Sequence, residues 1–518
     1  MRKNLLILFY LCLTLLSCNK EEELVIPEPE IIQPLDTPIE FGFRQIDNPD
    51  NLTEDVVGRL TADQITGVAP FLLKSDSLVA TFSVPSGTIV TVANKTQISG
   101  VSKNDFSKPV VYTFKTPQGT AKQLSVNLTT FTQLPILYLN TADTLPVSSK
   151  DEYKSASLKV KGNGQYQEGL YNGGIQIKGR GNSTWYSMPK KPYKIKLNQK
   201  APLLNMPADR EWVLLANYSD KTLMRNYVSF ELSRRLGLKY TPRARFVEVF
   251  LNGNYEGNYL LTEEIKISKD RVDIEELDRS DNSPEEITGG YLLEIDVRQD
   301  AASWFKTNKD IIFCLKSPES PSPDQYNYIK AYVQKTEEIL YSDNFTDTKE
   351  GYAKYINVDS FVNWYLLNEI TKNSDAVFYT SVYLFKDRNN KLCIGPAWDF
   401  DIAAGNINFL DIEKPEGFYI MNSLWIERLF QDPAFAEKVK TRFNQLKQTQ
   451  LNTLPQFINQ TAAYLNKSQE ANFNRWDILN IYVWPNAVAL GSHEKEVAYL
   501  NNWLQKRIAW MEKEFTIN

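Results

Sequence analysis

The apolar positions of this sequence follow three successive patterns. A short apolar run, Leu5–Leu16, follows two positive charges at Arg2 and Lys3. From residue 41 to 132, short alternating or β-branched runs are separated by turn sequences such as Pro85-Ser86-Gly87, which is the pattern of short strands. From residue 134 to 518, strand-like runs come first, and helical spacing dominates beyond about residue 357. The chain is therefore predicted to belong to the α+β class.

The N-terminal apolar run is too short to span a bilayer as a stable helix. Its layout predicts a signal peptide over residues 1–17. The run closes on Leu15–Cys18, which resembles a bacterial lipobox and implies cleavage before Cys18 and a lipid on its thiol. The alternative is a plain secretory signal with an incidental cysteine. The following Lys20 and Glu21–Glu23 resemble the surface-export tag of Bacteroidetes lipoproteins. We therefore expect an outer-membrane protein that faces the cell surface and touches the membrane through its lipid anchor only.

Two segments separate the signal from the larger C-terminal region. Residues 18–40 are rich in proline and glutamate and predict a flexible stalk. Residues 41–132 predict a small Ig-like β-sandwich, because their short strands recur at the spacing of such domains. Two roles are open for it: binding a glycan or a protein, or holding the next domain away from the membrane. The lack of an aromatic cluster in its sequence favours the spacer. Residues 134–518 form the last predicted domain.

Several elements of this last domain can be predicted individually. Lys221–Leu236 has helical spacing, and Ser219 or Asp220 is its predicted N-cap. Asn252-Gly253 lies between two apolar runs, which predicts a β-hairpin. The final helix is predicted at Glu494–Glu512, with one apolar face that packs on the core.

Composition excludes several classes of function. The formal net charge is −5 and no lysine- or arginine-rich run occurs, which argues against a nucleic-acid partner. The chain contains one histidine, His493, so histidine-based catalytic triads and multi-histidine zinc sites are excluded. Any chemistry must therefore be carried by aspartate, glutamate, lysine and arginine.

A glycine-rich segment, Gly173–Thr184, is followed by a lysine-bearing strand, Pro189–Lys196. Glycines allow backbone N–H groups to approach phosphate oxygens, and a lysine on the next strand can neutralise the phosphate charge. The alternative is a simple hairpin turn, with Lys194 and Lys196 on a solvated strand face. The pattern alone does not decide between the two.

Two other segments carry charged or polar residues that their predicted elements do not require. Arg225 and Asn226 lie in an otherwise amphipathic helix, and Glu263 and Glu264 close the second strand of the predicted hairpin. We regard both pairs as candidates for a functional role.

Acidic residues near residue 400 give the strongest chemical signal. Asp375 precedes a predicted hairpin, and Asp399 and Asp401 follow it. Two positions apart in an extended chain, Asp399 and Asp401 would project to the same side. Paired carboxylates in an apolar setting repel each other unless a cation lies between them, and a hard divalent ion is the natural occupant. A solvated pair is the alternative, which Trp398 and Phe400 make less favourable.

Together these segments resemble the spore coat protein H (CotH) family of atypical kinases over roughly residues 134–518. Four motifs occur in order: Gly-Arg-Gly-Asn-Ser-Thr-Trp from Gly179, Pro-Lys-Lys-Pro-Tyr-Lys-Ile-Lys from Pro189, Asn-Gly-Asn-Tyr-Glu-Gly-Asn-Tyr from Asn252, and Trp-Asp-Phe-Asp from Trp398. The resemblance implies a divergent protein-kinase-like domain that binds ATP and a divalent metal, Mg²⁺ or Mn²⁺. It also implies phosphoryl transfer to a hydroxyl of an extracytoplasmic protein.

The resemblance further assigns roles to individual residues. Asp375 would be the catalytic-loop aspartate that accepts the proton of the attacking hydroxyl. Asp399 would bind the metal, with Asp401 helping it. Lys191 or Lys194 would contact the phosphates and act in catalysis. Glu263 would lie near the nucleotide or support the phosphate lysine. The other residues expected to bind the nucleotide are Gly179, Arg180, Gly181, Asn182, Ser183 and Arg225.

One position departs from the common kinase pattern. The catalytic loop of kinases has a metal-binding asparagine five residues after its aspartate, and here that position is Thr380. A hydroxyl is a poorer ligand, so the rival hypothesis is a surface lipoprotein with a kinase-like fold that binds a glycan or a protein without turnover. A glycoside hydrolase with paired carboxylates is a third possibility. Convergence of the three aspartates with Lys191 or Lys194 in one pocket would favour the kinase.

Overall fold

The computed structural model of the chain describes residues 40–517, apart from 53, 70–72, 74–76, 118 and 131. The predicted signal peptide, Cys18 and all but residue 40 of the predicted stalk lie outside the described residues. No helix in the described part of the chain combines the length and the apolar character needed to cross a membrane. The structure joins β-sheets to α-helices, which confirms the α+β class.

Residues 40–130 form small sheets around a core of their own. A three-stranded sheet has the order β2-β1-β6, a six-stranded sheet has the order β3-β4-β11-β10-β7-β8, and β5 pairs with β9. Buried aromatic residues such as Phe43, Tyr112 and Phe114 fill the core. The expected short strands are present, and the Ig-like assignment stays a prediction. The strands are β1 (Glu40–Phe43), β2 (Val56–Val57), β3 (Arg59–Leu60), β4 (Gln64–Ala69), β5 (Ser77–Val79), β6 (Thr81–Ser83), β7 (Ile89–Val92), β8 (Lys95–Thr96), β9 (Lys103–Asp105), β10 (Val110–Lys115) and β11 (Ala121–Thr130).

Seven further strands close into a barrel in the order β12-β13-β14-β15-β16-β18-β17. The barrel is closed by parallel pairing of its first strand with β17, in which Ile136 lies opposite Glu248. The hairpin predicted at Asn252-Gly253 is confirmed, with φ of 50° and 79° at these residues, as a type I′ turn requires. The strands are β12 (Ile136–Thr141), β13 (Lys154–Lys161), β14 (Tyr171–Gly179), β15 (Tyr193–Leu203), β16 (Met206–Leu215), β17 (Ala244–Leu251) and β18 (Asn254–Glu263).

The third region combines a five-stranded sheet, ordered β20-β21-β19-β22-β23, with most of the helices. Its strands are β19 (Tyr291–Ile295), β20 (Trp304–Lys306), β21 (Ile312–Ser317), β22 (Val382–Lys386) and β23 (Cys393–Ile394). The α-helices of the described residues are α1 (Ser183–Ser187), α2 (Arg225–Leu236), α3 (Pro323–Leu340), α4 (Val358–Thr371), α5 (Leu424–Leu429), α6 (Pro433–Thr449), α7 (Leu454–Tyr464), α8 (Asn466–Arg475) and α9 (His493–Ile517). Short 3₁₀ turns occur at Glu286–Thr288, Tyr352–Lys354, Ser374–Ala376, Ile420–Asn422 and Leu451–Thr453.

The sheets of residues 40–130 rest against the rest of the chain. Lys161 Nζ lies 2.5 Å from a carboxylate oxygen of Glu54, which joins them to the barrel. On α8, the Asn474 amide donates to Thr129 Oγ1 at 3.0 Å. The first region is therefore docked on both the barrel and α8, which a simple spacer would not require.

Helix α2 begins later than the sequence pattern predicts, at Arg225 instead of Lys221. The carboxylate of Asp220 accepts hydrogen bonds from the backbone N–H groups of Thr222 at 3.0 Å and Arg225 at 2.7 Å. Asp220 thus stabilises a turn that precedes the helix and satisfies its first N–H group. The final helix starts one residue before its predicted start and continues to Ile517.

A fully buried ion pair links α4 to α9. Arg507 Nη2 lies 2.6 Å from a carboxylate oxygen of Glu369, and both side chains have 0% exposure. The same carboxylate accepts the backbone N–H groups of Tyr419 and Met421, each at 2.8 Å. The pair therefore also fixes the segment that carries Tyr419.

Replacing Arg507 with methionine should destabilise the fold strongly, because it leaves the Glu369 carboxylate buried without its partner. We expect the free energy of unfolding to fall by about 3–5 kcal/mol, measured by denaturant titration. The neighbouring Lys506 is exposed, so Lys506→Met is the matched control and should change stability by about 0.5 kcal/mol or less. Equal effects of the two substitutions would contradict this interpretation.

Candidate functional site

A cavity of about 750 Å³ lies between the barrel and the five-stranded sheet. Barrel residues line one side, and residues of the sheet and of the segment after β23 line the other. Among the site residues proposed from sequence, those lining the cavity are Gly179, Arg180, Gly181, Asn182, Ser183, Lys194, Glu264, Asp375, Asp399 and Asp401. The three aspartates thus share one pocket with Lys194.

The glycine-rich loop is tightly folded at the end of β14. A Cβ atom on Gly179 would lie 2.3 Å from a ring atom of Trp185, so packing excludes any side chain there. Gly181 has φ of +79°, which favours glycine. The side-chain oxygen of Asn182 accepts from Lys150 Nζ at 2.9 Å. These contacts hold the loop in place at the cavity wall.

Of the two candidate lysines, only Lys194 reaches the cavity. Its Nζ lies 3.1 Å from Glu264 and 3.2 Å from Glu211. Burial lowers the pKa of Lys194, but the two carboxylates outweigh this effect and raise it, so the lysine stays charged. Lys191 instead donates to the carbonyl oxygen of Trp185 at 2.6 Å. The alternative assignment to Lys191 is therefore corrected.

The glutamate that supports this lysine is Glu264, not Glu263. Glu263 accepts from the backbone N–H of Arg243 at 2.8 Å and from its Nε at 3.0 Å, and it does not line the cavity. Successive side chains of a strand point in opposite directions, so a shift of one residue changes which glutamate meets Lys194. Glu264 was visible in the sequence as a second candidate, because it directly follows Glu263 at the end of β18.

The acidic side of the cavity concentrates negative charge. Burial and then the nearby Asp399 raise the pKa of Asp375 to about 7, although Arg298 opposes the shift. Burial, followed by the charges of Asp399 and Asp375, raises the pKa of Asp401 well above its usual range. The three carboxylates therefore lie close enough to repel one another, and a cation would relieve this repulsion.

Asp399 is not part of an extended segment, contrary to the sequence prediction. Its φ is +64°, so Asp399 and Asp401 reach the same cavity through a turn instead of strand alternation. Ser381 Oγ donates to a carboxylate oxygen of Asp399 at 3.1 Å. The Asn373 amide donates to the Asp399 carbonyl oxygen at 3.2 Å. Local hydrogen bonds thus fix the orientation of this aspartate.

Arg225 does not line the cavity, and its expected contact with the nucleotide is corrected. Its guanidinium is 1% exposed and forms an ion pair with Asp220 at 2.5 Å. Its Nε donates to the Ala403 carbonyl oxygen at 3.1 Å, and the side-chain oxygen of Asn226 accepts from the Phe400 N–H at 2.8 Å. The start of α2 therefore holds in position the segment that carries Asp399 and Asp401.

Several charged residues of the cavity were not identified from sequence. Glu294 and Lys316 form an ion pair at 3.2 Å. The Thr380 hydroxyl donates to Asp296 at 3.1 Å, and it also accepts from Arg298. The signal for two of them was the alternation along β19 and the residue that follows it, which places Glu294 and Asp296 on one side. Thr380 is thus held in place by its hydrogen bonds with Asp296 and Arg298.

Carboxylate oxygens are the hard donors that Mg²⁺ and Mn²⁺ prefer. Across the described residues, no group of three or more histidine, cysteine, aspartate or glutamate side chains is arranged to hold a metal ion by itself. Mg²⁺ sites of phosphoryl-transfer enzymes commonly use one or two carboxylates and complete the shell with phosphate oxygens and water. The donor set of Asp399 and Asp401 fits that arrangement.

Comparison with solved structures gives a weak likeness only. One similar structure is that of a candidate glycoside hydrolase from Bacteroides thetaiotaomicron VPI-5482, with a TM-score of 0.16 and 16% identity. The alignment covers 36% of this chain and 53% of that chain, so the chain spans about half the length of that protein. At this TM-score the likeness carries no argument. No curated protein matches the chain.

Comparison with protein families gives a clear result. The family described as CotH kinase protein matches residues 177–511, which is more than half of the 518-residue chain. The match includes the glycine-rich loop after Gly179, Lys194, Asp375, Asp399 and Asp401. The chain therefore belongs to the CotH kinase family.

Proposed function

We propose that this protein is a kinase that uses ATP and a divalent metal to phosphorylate a hydroxyl group of an extracytoplasmic protein. One observation carries the proposal. A single cavity holds the Lys194–Glu264 ion pair on its barrel side and Asp375, Asp399 and Asp401 on its opposite side. A fixed cation that faces clustered carboxylates is the charge arrangement that phosphoryl transfer requires. Membership of the CotH kinase family supports the same conclusion.

The triphosphate would lie along the barrel side of the cavity. Lys150, Lys178, Arg180 and Lys194 line it there, and cationic side chains favour polyphosphate. The Arg180 guanidinium carbon lies 5.3 Å from the Trp398 ring centroid, so this cation is held over the acidic segment. Glu264 keeps Lys194 charged and directed into the cavity.

The metal would be held by Asp399 with Asp401, and it would neutralise charge on the transferring phosphate. Asp375 would accept the proton of the attacking hydroxyl. Its pKa of about 7 suits a general base that works near neutral pH. Arg298 and Asp399 lie near enough to influence this carboxylate, so they tune its basicity. Catalysis would then rest on positioning and electrostatic stabilisation.

The cellular location of the protein is part of the proposal and rests on the sequence alone. A lipid on Cys18 would anchor the chain to the outer membrane, facing the cell surface. The substrate would then be an exported or surface protein.

One observation favours a second candidate function, nucleotide binding without turnover. Thr380 stands where kinases have a metal-binding asparagine, and its hydroxyl already donates to Asp296. The two candidates differ in a direct measurement. A kinase transfers the γ-phosphate of ATP to protein, and a nucleotide-binding protein retains ATP unchanged.

Mg²⁺ with ATP should stabilise the full chain against thermal unfolding, by about 3 kcal/mol when ATP is a hundredfold above its Kd. EDTA should abolish the effect. Asp399→Asn should abolish it too, because the amide lacks the carboxylate charge while asparagine tolerates the positive φ of this position. The exposed Asp343 provides the control, and Asp343→Asn should behave like the wild type. Stabilisation that persists in EDTA would contradict a metal-dependent site.

Lys194→Met should weaken ATP binding by at least about tenfold, since about 1.4 kcal/mol of interaction energy corresponds to that factor. Lys191→Met should leave it unchanged, because Lys191 binds the Trp185 carbonyl oxygen outside the cavity. Isothermal titration with ATP and Mg²⁺ measures both. The opposite order of effects would restore Lys191 as the phosphate lysine.

Asp375 also predicts a pH dependence of stability in EDTA. Its pKa is about 7 in the folded chain and about 3.9 when unfolded. The folded state therefore holds a proton that the unfolded state releases, and this contribution to stability is lost as pH rises from about 4 to about 7. Asp375→Asn should gain roughly 3 kcal/mol relative to the wild type between pH 5 and pH 8. Asp343→Asn should show no such gain, and a pH-independent difference for Asp375→Asn would refute the shift.

A further inference from the structure

A second cavity of about 470 Å³ adjoins the first. We call it the aromatic groove and define it by Met188, Tyr218, Trp476, Ile481, Tyr482 and Trp484. Met188 and Trp484 line both cavities, so the groove is continuous with the proposed active site. Trp484 also stacks on Phe409 of the first cavity, with ring centroids 6.5 Å apart.

The groove exposes apolar surface that the fold does not use. Ile481, Tyr482 and Trp484 are 54%, 52% and 53% exposed. They lie together on the connection between α8 and α9. Large apolar side chains that are exposed together beside a pocket mark a binding surface.

The groove is held in one shape by hydrogen bonds from neighbouring elements. Lys221 Nζ donates to the Ile481 carbonyl oxygen at 2.6 Å. The indole of Trp476 donates to the Glu256 carbonyl oxygen at 2.9 Å, and the Asn408 amide donates to the Tyr482 hydroxyl at 2.9 Å. A partner would therefore meet fixed aromatic side chains, which lowers the entropic cost of binding.

The composition of the groove fits a polypeptide. Tyrosine, tryptophan, methionine and arginine are the residue types enriched where proteins bind proteins, and Arg59 and Arg475 also line this cavity. Arg475 is engaged by Glu256 at 3.4 Å and by the Tyr255 carbonyl oxygen at 2.9 Å. The guanidinium of Arg475 is thus fixed in the wall of the groove.

We propose that the aromatic groove binds the polypeptide that carries the acceptor hydroxyl, by taking up bulky apolar side chains that flank it. The inference rests on the proposed kinase function. It specifies the substrate class as segments with leucine, phenylalanine or tyrosine near the phosphorylated residue. The continuity of the two cavities lets one extended segment occupy both.

The test uses the purified full chain and an array of short serine-centred peptides. Each flanking position is varied among leucine, phenylalanine, aspartate, lysine and glycine, and binding is measured without ATP. The wild type should prefer apolar flanks. The double variant Ile481→Ser with Tyr482→Ser should bind those peptides about tenfold more weakly. If this variant loses its native melting transition, Tyr482→Lys at the same exposed position replaces it.

The control is Ile46→Ser with Ile98→Ser, which removes two exposed apolar side chains outside both cavities. It should bind the peptides like the wild type. No apolar preference, or equal binding by the groove variant, would overturn the proposal. So would binding of an N-acetylglucosamine oligomer in place of the peptides. Stabilisation of the wild type by Mg²⁺ with ATP is measured in parallel. If Mg²⁺ with ATP does not stabilise the wild type while peptides still bind in a groove-dependent way, the kinase function is rejected. The assignment of the groove to a polypeptide then stands.

Discussion

The buried ion pair between Arg225 and Asp220 is the constraint on which the site depends. Both side chains are almost completely shielded from water, and a buried charge persists only when it is paired and hydrogen-bonded. The same arginine holds the Ala403 carbonyl oxygen, and the adjacent Asn226 holds the Phe400 N–H. One helix start therefore fixes the segment that presents Asp399 and Asp401. Asp375, Asp399 and Asp401 repel one another. They stay close together because this anchoring prevents the segment that carries Asp399 and Asp401 from moving away from Asp375.

In the cavity, an acidic side on which carboxylates repel one another faces a basic side on which Lys194 is ion-paired. Lys194 has two carboxylate partners and remains charged, whereas Asp375 and Asp401 are held where burial disfavours their charged forms. The asymmetry has a simple meaning. On the basic side, carboxylates of the protein balance the charge of Lys194, whereas on the acidic side like charges are held close together. Pre-arranged charge of this kind lowers the cost of reorganisation when a charged ligand binds.

The features that could be predicted from the sequence are those that depend on residues close together in the chain. Asn252-Gly253 specified its hairpin through backbone conformation, and the clustered aspartates indicated a shared site. The sequence did not decide between Lys191 and Lys194, because Lys191 precedes β15 and strand alternation does not set its direction. It assigned Glu263 to the site in place of Glu264, because a one-residue shift reverses the direction of a strand side chain. The role of Arg225 depends on Ala403, far along the chain, and no local pattern contains that contact.

Closure of the barrel has a consequence for how the protein is made. Its first strand pairs in parallel with β17, and these strands lie more than one hundred residues apart in sequence. Pairing of such distant segments is slow, because the loop-closure entropy is lost before the contact is gained. Until Leu251 is available, β12 keeps an unpaired edge, which other chains can bind. During synthesis, the edge of β12 is therefore exposed from the time this strand emerges until β17 pairs with it.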